Sequence, residues 1–238
     1  MRNVICMKWG TLYGPEYVNK LYGMARRHIT GEFRFVCLTD DATGIVEGVE
    51  CRPLPAMDVG DVPSFSGWRK LSVFSPELDD MKGPTLFLDV DLIIVDNIDA
   101  LFEYEPGEFC IIENWTQMGR NVGNSSVFRY EAGRYKEILD KYEANHDAIV
   151  RQWDNEQMYL THEASPVKWW PEEWCKSFKH HAIPKGISMY FKVPEIPPGC
   201  KIVVFHGHPK PEEAAVGKWP GRPLKRVLPT PWINEHWR

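Results

Sequence analysis

The sequence has no excess of positive charge, no closely spaced cysteines and no long apolar run. Its net charge of −5 provides no overall basic field for nucleic acid. No stretch is as long and apolar as a membrane helix, and the first ten residues lack a signal peptide's apolar core. The six cysteines form no C-x-x-C pair, which favours reduced thiols over disulfides or a zinc site. We therefore expect a cytoplasmic protein without a transmembrane segment.

The composition is that of an ordinary globular protein. The 238 residues are 43% hydrophobic and 26% charged, and they contain no internal repeat and no long linker. Folding at this length buries roughly 70–75% of the unfolded chain's surface, enough for one sizeable core. We expect a single domain over 1–238, in which residues 218–238 form a tail that wraps the surface.

Hydrophobic periodicity predicts an α/β protein. A strand at 3–9, a helix at 16–28 and a strand at 32–41 form the opening of a mostly parallel sheet flanked by helices. Functional groups in such sheets collect at the carboxyl ends of the strands. A loop is predicted at 53–67, helices at 68–78, 134–153 and 154–163, and strands at 107–114, 123–130 and 201–207.

Two acids interrupt the most apolar segment, "GPTLFLDVDLIIVDNIDALF" at 83–102. Residues 87–95 are predicted to form a buried strand, yet Asp89 and Asp91 fall in its middle, where an unpaired carboxylate is costly. Side chains two apart on a strand share a face. If the strand ends there, both carboxylates converge on one point just beyond the sheet.

Two converging carboxylates call for a cation, because each raises the pKa of the other. Oxygen ligands suit Mg²⁺ or Mn²⁺, and an ion held by two carboxylates keeps open positions that phosphate oxygens commonly fill. The alternative is that Asp89 and Asp91 cap a turn or pair with lysines. That alternative explains less, since the apolar run continues past Asp91.

Two protein classes place D-x-D after an apolar strand. In haloacid dehalogenase-like phosphatases the first Asp is a nucleophile and the second an acid. That pattern has Thr or Val where this chain has Ile93, and it lies near the start of the catalytic domain, whereas 88 residues precede Asp89 here. In nucleotide-sugar glycosyltransferases the acids hold a metal on the donor diphosphate.

Residues 68–102 resemble glycosyltransferase family 8, the glycogenin-like and lipopolysaccharide galactosyltransferase-like enzymes, in which a helix leads into "LYLDxDxxxxxxxxxLF". Three later segments resemble family motifs in the same order: "NSSVFRY" at 124–130, "NEQMYL" at 155–160 and "FHGHPKP" at 205–211. The resemblance implies a GT-A-type, Rossmann-like fold and a metal-dependent hexosyltransferase that uses a UDP-sugar.

The resemblance also implies a metal site. Asp89 and Asp91 would bind Mn²⁺ or Mg²⁺ bridging the donor diphosphate, with His206 as the third ligand. The histidine directly precedes Gly207 rather than standing three residues before it, so His208 is the alternative ligand. The family pattern has a lysine three residues after the glycine, and Lys210 occupies that position after Gly207. The Lys210 ammonium would neutralise the departing phosphate.

The remaining donor contacts are implied at three other places in the chain. The loop after the first strand would face the base and ribose, and Asp40 would accept a hydrogen bond from the base, unless Asp40 and Asp41 only form a turn. Lys70 stands where the family often carries an arginine that reaches the donor. The implied loop residues are Trp9, Gly10, Thr11 and Tyr13.

The family retains anomeric configuration, and a residue opposite the leaving group stabilises positive charge. Alignment of "EQMYL" assigns that role to Gln157 with Glu156 beside it, although Glu156 could instead cap a helix and Met158 replaces an acid. Asn124 and Ser125 would hold the sugar or acceptor, or form a turn. The alternatives are the phosphatase and an inactive nucleotide-sugar-binding protein. The acceptor, whether carbohydrate, lipid-linked or protein, is left open.

Overall fold

The computed structural model describes residues 1–63, 66–221 and 225–238. The predicted loop at 53–67 and the predicted tail therefore each include a few residues outside the described part. The chain opens with β1 (Arg2–Lys8), α1 (Pro15–His28) and β2 (Phe33–Thr39). The two strands pair in parallel along their whole length, which confirms the predicted strand–helix–strand opening.

Seven strands form the main sheet in the order β3-β2-β1-β4-β7-β6-β8. Only β7 runs against its neighbours β4 and β6, and the other pairings are parallel. This is the predicted mixed, mostly parallel sheet flanked by helices. The further strands are β3 (Glu50–Arg52), β4 (Pro84–Leu88), β6 (Cys110–Glu113), β7 (Gly123–Glu131) and β8 (Lys168–Trp169).

A smaller sheet of three short strands lies in the order β5-β10-β9. Its strands are β5 (Ile93–Ile94), β9 (Cys175–Ser177) and β10 (Ile202–Val204). The other α-helices are α2 (Asp99–Glu103), α3 (Lys136–Gln152), α4 (Glu156–Glu163), α5 (Pro211–Ala215) and α6 (Pro231–His236). A 3₁₀-helix spans Gly67–Phe74 where a short helix was predicted.

The main sheet separates two apolar layers. Along β1, Val4 and Cys6 face the layer that contains α1 and the small sheet, whereas Ile5 and Met7 face the layer that contains α3 and α4. The alternation follows from the period of two in a strand. A strand buried on both faces reads as a continuous apolar run, as β1 does.

The predicted continuous strand over residues 87–95 is wrong. Strand β4 ends at Leu88, and the chain turns through Asp89 and Asp91 before β5 joins the small sheet. The apolar run continues past the acids because Leu92 is buried and Ile93 and Ile94 form a strand of a second sheet, not because one strand is long. The other expectation, that the strand ends at the acids, is confirmed.

The C-terminal tail contains helix α6. Ile233 and Trp237 are buried, and the Trp237 ring packs edge-on against Tyr17 of α1 at 5.3 Å between centroids. The end of the tail therefore packs against α1 at Tyr17. None of the described helices combines the length and apolarity needed to cross a bilayer.

Candidate functional site

A cleft of about 260 Å³ opens beyond the carboxyl ends of β1 and β4. It lies where an α/β sheet is expected to place functional groups. Seven of the residues singled out from the sequence line it, and they come from four separate parts of the chain: Trp9, Tyr13, Lys70, Asp89, Asp91, His206 and Gly207.

Asp89 forms an ion pair with Lys70 at the floor of this cleft. The Lys70 ammonium lies 2.8 Å from Oδ1 and 2.9 Å from Oδ2 of Asp89. Burial lowers the pKa of Lys70, but the charges of Asp89 and Glu156 outweigh that effect and raise it overall. Lys70 therefore stays positively charged, and the lysine-pairing alternative describes Asp89 correctly.

Asp91 is buried and lacks such a cation. Its Oδ2 accepts a hydrogen bond of 2.5 Å from the Tyr13 hydroxyl. Burial raises the pKa of Asp91 to about 7, and the negative charge of Asp89 acts in the same direction. An ionised Asp91 is therefore unfavourable here unless further positive charge enters the cleft.

His206 lines the same cleft and is held by its neighbours. Its Nε2 lies 2.8 Å from Ser177 Oγ, and its ring stacks on Trp115 at 6.0 Å. Burial lowers the pKa of His206 to about 4, with the Lys179 charge contributing. The imidazole is thus neutral at physiological pH, which is the form that binds metal. Ser177 and Trp115 were not singled out from the sequence, because they are distant from His206 along the chain.

The structure places His208 elsewhere. His208 is exposed, and its Nδ1 lies 2.7 Å from Glu213 Oε2 at the start of α5. Of the two histidines that the sequence left open, only His206 lines the cleft.

These residues fit a divalent cation. Two carboxylates and a neutral imidazole suit Mn²⁺ or Mg²⁺. Burial and the Asp89 charge raise the pKa of Asp91, so a cation bound here would favour its ionised form. Within the described ranges, however, no three His, Cys, Asp or Glu side chains form a preassembled metal site. Because Ser177 engages one nitrogen of His206, that side chain must adjust for a third ligand to form.

Lys210 contacts Tyr13, one of the residues that line the cleft. It is the N-cap residue of α5, and its ammonium sits 4.3 Å from the centre of the Tyr13 ring. Tyr13 in turn donates a hydrogen bond to Asp91, so the Tyr13 side chain separates Lys210 from the acidic pair. From this position the Lys210 ammonium could interact with an anion that enters the cleft.

A second pocket of about 930 Å³ adjoins the cleft and shares Trp9 and Leu12 with it. Gly10, Thr11 and Asp40 line it, as does Arg69, the neighbour of Lys70 in the chain. Asp40 Oδ2 accepts a hydrogen bond of 2.8 Å from the Gly10 N–H. Asp40 therefore holds the loop after β1 as well as facing the pocket.

Glu156, Gln157, Asn124 and Ser125 meet behind Lys70. Ser125 Oγ donates to Glu156 at 2.8 Å, and the Lys70 ammonium lies 3.3 Å from the same hydroxyl. The structure thus brings together all four residues named for the sugar side.

Glu156 does not cap α4, because the Asn155 side chain accepts from the Met158 N–H in that role. A Cβ at Gly67 would lie 2.4 Å from the Glu156 carboxyl carbon. Glycine at 67 is therefore what allows Glu156 to approach the 3₁₀-helix that carries Lys70.

Comparison with solved structures identifies the fold. The galactosyltransferase LgtC in complex with donor and acceptor sugar analogues matches over 88% of both chains, with 12% identity and a TM-score of 0.61. An active-site mutant of LgtC matches equally well, over 88% of this chain and 89% of LgtC. The glycosyltransferase GlyE of Streptococcus pneumoniae matches over 89% of this chain and 56% of its own, with 17% identity and a TM-score of 0.58.

These likenesses confirm the predicted GT-A-type fold. At such low identity they concern the fold alone. No protein-family model matches the sequence, and no curated protein matches it significantly.

Proposed function

We propose that this protein transfers a sugar from a nucleoside diphosphate donor, a UDP-sugar, to an acceptor, using a divalent cation. The observation that carries the proposal is the convergence of Asp89, Asp91 and His206 in one cleft beside a second pocket. The second pocket has room for a nucleoside, and the acids lie where its diphosphate would enter. The likeness to LgtC, whose structure holds sugar analogues, supports the same assignment.

The reaction requires negative charge on the leaving diphosphate to be stabilised as the glycosidic bond lengthens. A Mn²⁺ or Mg²⁺ ion held by Asp89, Asp91 and His206 would supply Lewis-acid stabilisation of that charge. Lys210, which lies beside Tyr13, would add a further positive charge for the departing phosphates. The Tyr13 hydroxyl holds Asp91 by a hydrogen bond that favours the ionised carboxylate.

The sugar itself would lie toward the start of α4. The anomeric carbon becomes positively charged in the transition state, and Gln157 with Glu156 is the group that would face it. The Gln157 amide oxygen lies 3.4 Å from the Ser125 N–H and from Asn124 Nδ2, which positions it. The active-site mutant of LgtC has glutamate in place of a glutamine, which supports a role for such an amide. We infer transfer with retention from the family resemblance.

The donor class is tested by a thermal-shift panel of UDP, GDP, CDP and ADP, each with and without Mn²⁺. We expect UDP with Mn²⁺ to raise the melting temperature most, because a ligand that binds only the folded state stabilises it by mass action. We also expect slow Mn²⁺-dependent hydrolysis of a UDP-sugar. UDP binding without turnover would instead indicate the inactive binding protein, and hydrolysis of a generic phosphomonoester would indicate the phosphatase.

Metal binding should weaken in acid because Asp91 must lose its proton. We expect the Mn²⁺ affinity to fall about tenfold for each pH unit below about 7, the pKa of Asp91. The Tyr13→Phe variant removes a bond that lowers this pKa, so its affinity should begin to fall at a higher pH. Calorimetric titrations with Mn²⁺ across pH 5–8 measure both effects. A flat pH dependence would contradict the role of Asp91.

Asp91 should also make the stability of the metal-free protein depend on pH. The folded pKa of Asp91 lies above its ordinary value of 3.8, so the folded state holds the proton more tightly than the unfolded state. The contribution of Asp91 to stability is therefore full below about pH 4 and is lost as pH rises to about 7. Mn²⁺ should restore stability at the upper end of this window.

The two histidines are distinguished by a pair of matched substitutions. We expect His206→Ala to weaken Mn²⁺ binding at least about tenfold, as loss of a supporting or ligating group does. His208→Ala should leave binding within about twofold of wild type, because that side chain faces Glu213 outside the cleft. Equal effects of both substitutions would contradict the assignment of His206.

A further inference from the structure

The segment 185–193 carries an unusual group of exposed apolar side chains. Four of the nine exposed large apolar residues in the described chain fall here, and Ile187 and Phe191 are 78% and 77% exposed. We call this segment the basic apolar loop, and we propose that it docks the protein on an anionic membrane surface. Its exposed members are Lys185, Ile187, Tyr190, Phe191, Lys192 and Val193.

The charge of the loop is opposite to that of the whole protein. Residues 185–193 contain two lysines and no Asp or Glu, and exposed Glu195 follows two residues later, whereas the whole chain has 33 acids and a net charge of −5. Lys185 and Lys192 are exposed, and within the part of the chain that the structure describes neither forms an ion pair. Positive charge next to apolar side chains is complementary to a bilayer that contains anionic lipid.

Hydrogen bonds to backbone carbonyls on both sides of the basic apolar loop fix its position on the protein surface. Ile183, two residues before the loop, is buried, and its N–H donates to the Phe178 carbonyl at 3.0 Å. At its end the Pro194 carbonyl accepts a hydrogen bond of 2.9 Å from Trp232 Nε1. Between these anchors the 3₁₀-turn Gly186–Tyr190 buries no residue. The loop is thus held at both ends, with half-buried Met189 packed on the core and the side chains of Ile187, Tyr190, Phe191 and Val193 exposed.

A membrane fits this loop better than a second copy of the chain. In a two-fold dimer the same patch faces itself, so Lys185 and Lys192 would lie opposite like charges, which is costly. At a bilayer, the aliphatic stems of lysines pack on apolar surface while their charges reach the headgroups. Tyr190 suits the same boundary, because aromatic residues with a polar end favour the interface.

The helical turn Phe178–Ala182, which precedes the loop, contacts the wall of the cleft. The Lys179 ammonium donates to the His206 carbonyl, and the His180 ring stacks on His206 at 5.6 Å between centroids. A protein docked through this loop would hold its cleft near the bilayer, so the acceptor would be lipid-linked. That consequence rests on the proposed function, whereas the docking itself does not.

Docking is tested by co-sedimentation of the full chain with phosphatidylcholine vesicles, with and without about one quarter phosphatidylglycerol, in the absence of nucleotide. We expect binding only to the anionic vesicles, and weaker binding at high salt. The double variant Lys185→Gln/Lys192→Gln should bind about thirtyfold more weakly, at about 1 kcal/mol for each lysine. Ile187→Ser/Phe191→Ser should lose at least about tenfold, because two exposed apolar groups no longer enter the bilayer.

Two control variants replace lysines or apolar residues at exposed positions outside the loop. Lys82→Gln/Lys218→Gln and Val46→Ser/Val216→Ser change exposed residues outside the loop, and both should bind vesicles as wild type does. Failure of wild type to bind anionic vesicles, or loop variants that bind like these controls, would overturn the proposal. Self-association in solution that disappears in Ile187→Ser/Phe191→Ser would overturn it in favour of a dimer. UDP stabilisation measured without vesicles reports on the cleft separately.

Discussion

The Asp91→Asn variant is expected to lose about a thousandfold of Mn²⁺-dependent UDP-sugar turnover without losing its fold. A metal ion on the leaving group contributes several kcal/mol to the transition state, and about 4 kcal/mol corresponds to a thousandfold. Asparagine keeps the size of the side chain and an oxygen that can accept the Tyr13 hydrogen bond. It also removes a buried carboxyl whose ionisation is unfavourable, so metal-free stability at pH 8 should not fall.

Exposed Asp154 provides the matched control for this substitution. We expect Asp154→Asn to keep wild-type turnover, and Asp89→Asn to lose activity as Asp91→Asn does. Turnover is measured as UDP release at saturating Mn²⁺. Activity within tenfold of wild type in both cleft variants would contradict a role for this pair in holding the cation.

The Lys70→Met variant is expected to be about 2–3 kcal/mol less stable than wild type in the absence of divalent cation. Removing one partner of a buried ion pair leaves an uncompensated charge, which costs 3–5 kcal/mol at full burial. The expected loss is smaller here because the Lys70 and Asp89 side chains keep 12% and 23% of their exposure. Methionine retains most of the apolar stem, so the change isolates the charge.

Mn²⁺ should reverse most of this loss by supplying the missing positive charge to Asp89 and Asp91. Urea unfolding with and without Mn²⁺ therefore measures a larger metal effect in Lys70→Met than in wild type. The control is Lys141→Met, whose partner is Glu163 but whose side chain is 60% exposed; an exposed pair contributes about 0–1 kcal/mol. Equal metal effects in Lys70→Met and wild type would show that the cation does not bind next to Lys70.

Much of the site was predictable from local patterns. The first strand, helix and strand follow from apolar periodicity, and the acids were expected at the end of a buried strand because carboxylates are costly inside one. The order of motifs along the chain placed His206, Ser125 and Gln157 near those acids, and the structure brings all three to the same region.

The rest depends on tertiary contacts that leave no local signal. Strands β5 and β8 are two residues long, so no periodicity could reveal them, and β5 made the aspartate strand look continuous. Lys70 forms an ion pair with Asp89. The sequence does not indicate which lysine or arginine near the predicted helix forms that pair. Arg129 is fully buried and donates to the carbonyls of Leu101 and Glu105, although its place in the sequence resembles an exposed position on a strand.

The most direct measurement is a calorimetric titration of UDP into the protein with Mn²⁺ and again with a chelator, repeated with Asp89→Asn/Asp91→Asn. We expect UDP to bind wild type only when Mn²⁺ is present and to bind the double variant at least a hundredfold more weakly. Binding of UDP that is equal with and without the metal, or unchanged in the double variant, would contradict a cation held by these two acids.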